Sequence, residues 1–430
     1  MKALLGTPAL LVAARLGGAL AGMIFLMLLT QSGGAALAGT VSALIATAML
    51  LGLAGTLNIE AGAVRFMVQA LDQGQPGTAV GFIRFSRRYA AAISLTLCAG
   101  VWVLTPDPSP AFTLALAAAP LIAWTRLNAG VAIGFSRVAA GVIPRTFLRQ
   151  LFLLTGTAAF LALNGTPTPA VILAVYLAAN LAVALCQTAL LRPSERALKT
   201  PADQTDAPKW VRLGLTLGLN VLYLEYAIHL IIFTAAFVLA PADLARLDVA
   251  LKLAAFLKFA NTAINQAFMP RFSAAMGRGD AQALTRWLAL SNLLKLGANL
   301  TGLAALAIIA PHLLPLFGPE FTGLAPLVLL LALEPLIATL FGPGANIVSL
   351  SKRPARLLPI LAATLALLVG GTLLGGHLAG LPGIAAAFLA AATLWSASLA
   401  IIARTRLATD TTLPASLRWA LAATPKGRTA

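Results

Sequence analysis

Seven ionisable residues of this chain lie inside long apolar stretches: Arg15, Arg126, Glu225, Lys252, Lys258, Lys295 and Glu334. A charge at the centre of a membrane helix costs about 2.5–3.5 kcal/mol, so such residues are expected to face a cavity or a partner. Their neighbours are polar at helical spacing. Asn292, Lys295 and Asn299 follow an i, i+3, i+7 pattern, and so do Lys258, Asn261 and Asn265. Each set shares one helix face. Five cations against two acids describe a hydrated chamber suited to binding an anion. Arg15 and Arg126 extend it into the amino-terminal half, where the spans offer no acid to neutralise them. Arg15 and Lys252 lie nearer span ends and could instead reach the headgroups. Glu225 and His229, four residues apart, are candidates for a coupling proton relay. A structural ion pair from Glu225 to Lys258 or Lys295 is equally open. Glu334, followed by Pro335, is a third coupling candidate, marking a broken helix or pairing with a lysine.

No pattern for covalent chemistry accompanies these residues. The chain has no Walker A loop, no Gly-x-Ser-x-Gly, no Cys-x-x-Cys and no paired carboxylates in one outer loop. His229, His312 and His377 are too scattered for a metal site, and Cys98 and Cys186 sit in apolar surroundings as packing thiols. No catalytic residue, metal or cofactor is therefore expected, and transport driven by a gradient or by substrate flux fits better than hydrolysis.

The elements that must hold these residues are membrane helices. The chain has 430 residues, 60% hydrophobic and 10% charged, whereas soluble domains carry about 25% charged residues. Apolar windows predict twelve spans near 9–29, 36–57, 89–104, 111–134, 147–163, 171–191, 213–240, 247–268, 287–310, 323–341, 357–374 and 384–403. With a cytoplasmic amino terminus, 24 basic residues fall in inner segments and only Arg246 in outer ones. That asymmetry obeys the positive-inside rule and puts both termini in the cytoplasm. It also accounts for the net charge of +17 without nucleic acid. Ala36-Leu37-Ala38 resembles a signal-peptidase site, but cleavage there would remove a span and leave an odd number.

The predicted fold is an all-α polytopic bundle in two halves. Residues 1–191 form the first six-helix bundle, 192–212 a cytoplasmic linker, 213–404 the second bundle and 405–430 a tail. Val64-Arg65-Phe66-Met67 and Pro270-Arg271-Phe272-Ser273 follow the second helix of each half, 206 residues apart. This suggests parallel repeats rocking around a central cavity, with Arg65 and Arg271 as candidates for a cytoplasmic gate. The steps Gly18/Gly22, Gly214/Gly218 and Gly371/Gly375 predict close helix packing.

Several stretches resemble the polysaccharide (O-antigen-type) flippases of the multidrug/oligosaccharidyl-lipid/polysaccharide (MOP) exporter superfamily. They are Ala14-Arg15-Leu16-Gly17, Ala63-Val64-Arg65-Phe66, Asn265 through Pro270-Arg271 into Gly277–Asp280, and Leu316-Phe317-Gly318-Pro319-Glu320-Phe321 with the later Phe341-Gly342-Pro343. The resemblance spans about residues 8–405. It implies a MATE-like fold in the bacterial inner membrane and a cargo of undecaprenyl-pyrophosphate-linked oligosaccharide, flipped for polysaccharide or lipopolysaccharide synthesis. The implied partners are that lipid-linked glycan, the phospholipid bilayer, glycosyltransferases and a polysaccharide polymerase. Only Arg15 and Arg65 lie in recognisable family patterns; the other site residues come from depth and periodicity. The related lipid II flippases usually have fourteen helices. Two rivals stand beside this reading. A MATE-like drug or metabolite antiporter would be expected to carry acids in the amino-terminal cavity. A membrane polymerase or ligase would need a substantial charged outer loop.

Overall fold

The computed structural model describes residues 2–163, 165–350 and 357–423. The expected inner-side cations Lys352, Arg353, Arg356, Lys426 and Arg428 lie outside the described residues. Those described are helical throughout, with no strand among them. The principal helices are α1 (Lys2–Thr56), α2 (Pro76–Leu104), α3 (Pro110–Gly134), α4 (Val138–Ile143 continuing through Pro144–Leu148 and Arg149–Ala162), α5 (Pro169–Ala197) and α6 (Ala207–Ala235). They are followed by α7 (Pro241–Arg278), α8 (Ala281–Leu313), α9 (Ala325–Leu331), α10 (Glu334–Phe341), α11 (Leu358–Leu407) and α12 (Leu413–Ala423).

Helix length explains how this yields twelve crossings. At 1.5 Å per residue, a helix needs about 20 residues to cross, so α1 and α11, with 55 and 50 residues, are each twice too long. Each turns back at a glycine in a conformation closed to other residues: Gly34 at φ 77° and Gly380 at φ 62°. Each therefore supplies two crossings. With α2 to α8 and the pair α9–α10, twelve crossing segments result among the described residues. Six helices meet a strict length-and-apolarity criterion for spanning. The charged α2, with three arginines, and α7, with three arginines and two lysines, are not among them.

Two compact units divide the chain, residues 1–236 with 240–248 and residues 237–239 with 249–430. This boundary falls one helix later than the 192–212 linker. That segment is built into the first unit. Asp203 N–H donates to the Gly77 carbonyl at 3.0 Å, and Trp210 is fully buried, edge-on to Phe82 and Phe85. Its Pro and Asp content had suggested a free linker, but the tryptophan anchors it in an aromatic core with Leu191 and Leu198.

Several helices also start earlier than apolarity alone indicates. α2 begins at Pro76, a residue suited to a helix's first turn. α4 begins at Val138, so Arg145, which precedes the predicted span of 147–163, is helical as well. Asp248 lies within α7, 3% exposed, and accepts a hydrogen bond from Ser42 at 2.6 Å.

Candidate functional site

Arg126 sits on α3, which is buried along most of its length, and is itself 4% exposed. Its guanidinium pairs with Glu60, donates to the Tyr226 hydroxyl and lies 4.9 Å from the centre of the Tyr226 ring. Glu60 reaches it from a tight turn in which Leu57 and Asn58 adopt positive φ. A side chain at Gly130 would meet the Glu60 backbone and one at Gly214 the Leu57 carbonyl, so these glycines let α3 and α6 close on the turn. The spans of this half were expected to hold no acid for Arg126; its partner comes instead from the turn that follows the second span.

Beside the pair are two arginines that were not among the expected site residues. Pro144 lacks the N–H that a regular helix needs, and α4 widens there into a π-helical turn over Pro144–Leu148. Arg145 lies in that turn and Arg149 one turn on. Arg145 is within electrostatic reach of Arg126, Arg149, Tyr226 and Glu225. Arg149 donates to the Met49 sulfur at 3.3 Å. The Nε of Arg126, Arg145 and Arg149 is buried without a hydrogen-bond acceptor. Three guanidinium groups thus share one paired carboxylate, Glu60, and the exposed Glu225. Their signal in the sequence was the i, i+4 spacing of Arg145 and Arg149 just after Pro144. Glu60 and Tyr226 had none.

The other amino-terminal candidates are arranged less closely. Arg15 is exposed on α1 and makes no hydrogen bond or ion pair among the described residues. Tyr226, between Glu225 and His229 in sequence, packs 5.7 Å from the His229 ring. Arg65 is exposed, over the Phe66 ring at 6.0 Å, in a second π-helical turn, Ala63–Met67.

In the second unit the polar residues gather around the break between α9 and α10. Pro335 cannot donate to the preceding turn, and the chain restarts as α10 at Glu334. Lys258 pairs with Glu334 at 3.0 Å, its ammonium 5.2 Å from the Phe388 ring centre. This pairing of Glu334 with a lysine was one of the two readings of that residue. The Pro335 carbonyl accepts from Asn261 Nδ2 at 3.2 Å, Asn299 Nδ2 at 3.1 Å and Thr339 Oγ1 at 2.9 Å. Asn299 also donates to Thr339 Oγ1 at 2.9 Å.

Asn292, Lys295 and Asn299 share a buried face, at 0%, 3% and 2% exposure. Asn292 does not serve the same cluster, since its amide donates to the Thr411 carbonyl and Ser416 Oγ. Lys295 has no carboxylate partner among the described residues. Asn265 keeps a buried Oδ1 without a donor. Arg271 is exposed and stacks over Phe268 and Trp287, 5.2 and 5.0 Å from their ring centres. Among the described residues no group of three or more His, Cys, Asp or Glu could hold a metal.

No protein-family model matches the chain, and no curated protein matches it. Solved structures do. An inward-facing multidrug resistance MATE family transporter of the MOP superfamily superposes with a TM-score of 0.73 at 14% identity, covering 92% of this chain and 94% of that chain. Lipid II flippase MurJ, in an inward closed conformation, gives 0.70 at 12% identity over 96% and 91%. An outward-facing MATE transporter gives 0.59 at 15% identity over 93% and 96%. These neighbours are transporters and a flippase, and at such identities the likeness is one of fold. The chain therefore has the all-helical membrane fold shared by MATE transporters and the lipid II flippase MurJ.

Proposed function

We propose that this protein flips a lipid-borne diphosphate glycan, an undecaprenyl-pyrophosphate-linked oligosaccharide, from the cytoplasmic to the outer leaflet of the bacterial inner membrane. The observation that carries this reading is the group Arg126, Arg145 and Arg149, in which one carboxylate is paired and two guanidiniums have no carboxylate partner among the described residues. A diphosphate leaving water needs its charge offset. Guanidinium forks match phosphate oxygens in geometry and hold their charge at any pH. Lys295 and Arg15 are further candidate cations without an acidic partner among the described residues, while Lys258 is committed to Glu334. The glycan would serve polysaccharide or O-antigen synthesis, working with glycosyltransferases and a polymerase.

A MATE-like antiporter is the second reading, and Glu60 favours it by placing an acid in the amino-terminal unit. Its charge is already neutralised by Arg126, which weakens its use for a cationic drug. The deciding experiment reconstitutes the full chain in vesicles and follows outward movement of a fluorescent polyprenyl-diphosphate sugar. Accelerated movement, abolished by Arg145→Gln with Arg149→Gln, supports the flippase. Exchange of organic cations with no lipid movement would replace it with the antiporter.

A further inference from the structure

The residues after α11 form a built turn. Ala408 takes a left-handed conformation, and Asp410 accepts from Thr412 N at 3.1 Å and Thr412 Oγ1 at 2.7 Å. Thr411, fully buried, donates to the Phe341 carbonyl at 2.9 Å. Its own carbonyl accepts from Asn292 Nδ2 at 2.8 Å. The turn sets α12 against α8. Leu413 and Ser416 face inward, at 5% and 4% exposure. Leu417 and Leu421 follow Leu413 at i, i+4 spacing along the exposed flank of that face, 41% and 77% exposed, with the exposed Arg418 further round the helix. Leucines this exposed are out of place in water.

On the other flank of α12 from these leucines is a recess of about 670 Å³, bounded by Trp419 of α12 and by Arg286, Trp287 and the first turn of α8. Arg286 is exposed and lies over Trp287, 5.5 Å from the ring centre, with no carboxylate partner among the described residues. Asp280 lies at the other end of the recess. Its carboxylate accepts from Ala283 N at 2.9 Å. It opposes an anion at that end and leaves the Arg286–Trp419 end as the cationic one.

We propose that α12 lies in the membrane interface and that the Arg286–Trp287–Trp419 recess, with Arg418, binds the headgroup of an anionic phospholipid of the basic-side leaflet. Three features agree on this occupant. The exposed leucines suit acyl chains, the tryptophans suit the headgroup level, and the arginines complement a phosphodiester. Residues 268–286 and 404–418 fall on the side where basic residues collect, the side on which anionic lipid attracts them. The proposed headgroup site does not depend on what the protein carries.

The test places the full-length protein in nanodiscs of phosphatidylcholine containing brominated phosphatidylglycerol, and in matched discs where only the phosphatidylcholine is brominated. Trp419 emission is read as the difference between wild type and Trp419→Phe, because the chain has six tryptophans. Stronger quenching by brominated phosphatidylglycerol is expected. Native mass spectrometry should show retained phosphatidylglycerol falling about five-fold for each of Arg286→Gln and Arg418→Gln. Leu417→Glu, which leaves both arginines, should lower quenching by either lipid. Equal quenching by the two lipids, or unchanged retention in the arginine double variant, overturns the proposal. Displacement by inorganic phosphate also overturns it, by making the ligand a soluble anion.

Discussion

Arg126 and Glu60 form a buried ion pair, their side chains 4% and 11% exposed, between a residue in the middle of α3 and a turn at the end of α1. Removing one member of such a pair strands the other charge, at a cost of about 3–5 kcal/mol. Glu60→Gln is therefore expected to lower thermal stability in detergent sharply. Arg126→Gln combined with Glu60→Gln should be milder than the sum of the single changes. Additive losses in a thermal-shift measurement would mean that the two side chains do not depend on each other.

Arg145 and Arg149 are expected to behave differently. Neither has a carboxylate to strand, so their loss leaves no orphaned anion. Arg145→Gln and Arg149→Gln should each reduce transport about ten-fold or more, the worth of a charged hydrogen bond to cargo. Membrane insertion and melting temperature should stay near wild type. Full surface-glycan complementation by the double variant would exclude these arginines from the path.

Lys258 and Lys295 separate by the same logic. Lys258→Ala leaves Glu334 unpaired, so it should impair both transport and stability. Lys295 is buried without an acidic partner, which is costly. Lys295→Met, keeping the apolar stem, should cost transport while leaving stability equal to or above wild type. Lys252→Ala should be the mildest of the three. Parallel transport and melting assays check this, and a destabilised Lys295→Met would reveal a structural role for the ammonium.

The contrast between these residues explains what the sequence conveys. Helix count and type follow from apolar length, because a bilayer demands about 20 residues per crossing. The breaks at Gly34 and Pro335 follow from backbone rules for those residue types. The shared face of Asn292, Lys295 and Asn299 follows from helical period. Pairings across the fold follow from none of these. Glu60 stands just outside the span predicted at 36–57, and its neighbours do not show that the turn folds back against α3. Arg145 stands just before the span predicted at 147–163, because the helix begins before apolarity rises. Asn292 shares the face of Lys295, yet its amide serves the carboxy-terminal turn, a distinction that periodicity cannot express.

Glu225 bears on coupling. It is exposed, within electrostatic reach of Arg126 and Arg145. If it carries the coupling proton, Glu225→Gln should abolish the dependence of transport on the proton gradient while leaving downhill movement intact. Measured in vesicles with and without an imposed gradient, an unchanged dependence would assign Glu225 only an electrostatic part.

Asp410 gives the carboxy-terminal turn a defined acid response. Burial pushes its carboxyl up, and the two hydrogen bonds from Thr412 with the nearby Arg404 and Arg418 outweigh that, so it titrates below the ordinary carboxylate range. A depressed folded value stabilises the turn above the unfolded pKa of about 3.9, and the contribution is lost as pH falls through the folded value. The packing of α12 on α8 should thus persist at pH 5 and loosen only in stronger acid. Thr412→Val removes the hydroxyl donor and keeps the backbone one, so loosening should begin at higher pH than in wild type. Asp410→Asn should weaken the turn at neutral pH and flatten the acid response. Hydrogen exchange across residues 408–423 reads both effects. A response in Asp410→Asn identical to wild type would show that a different group holds the turn closed.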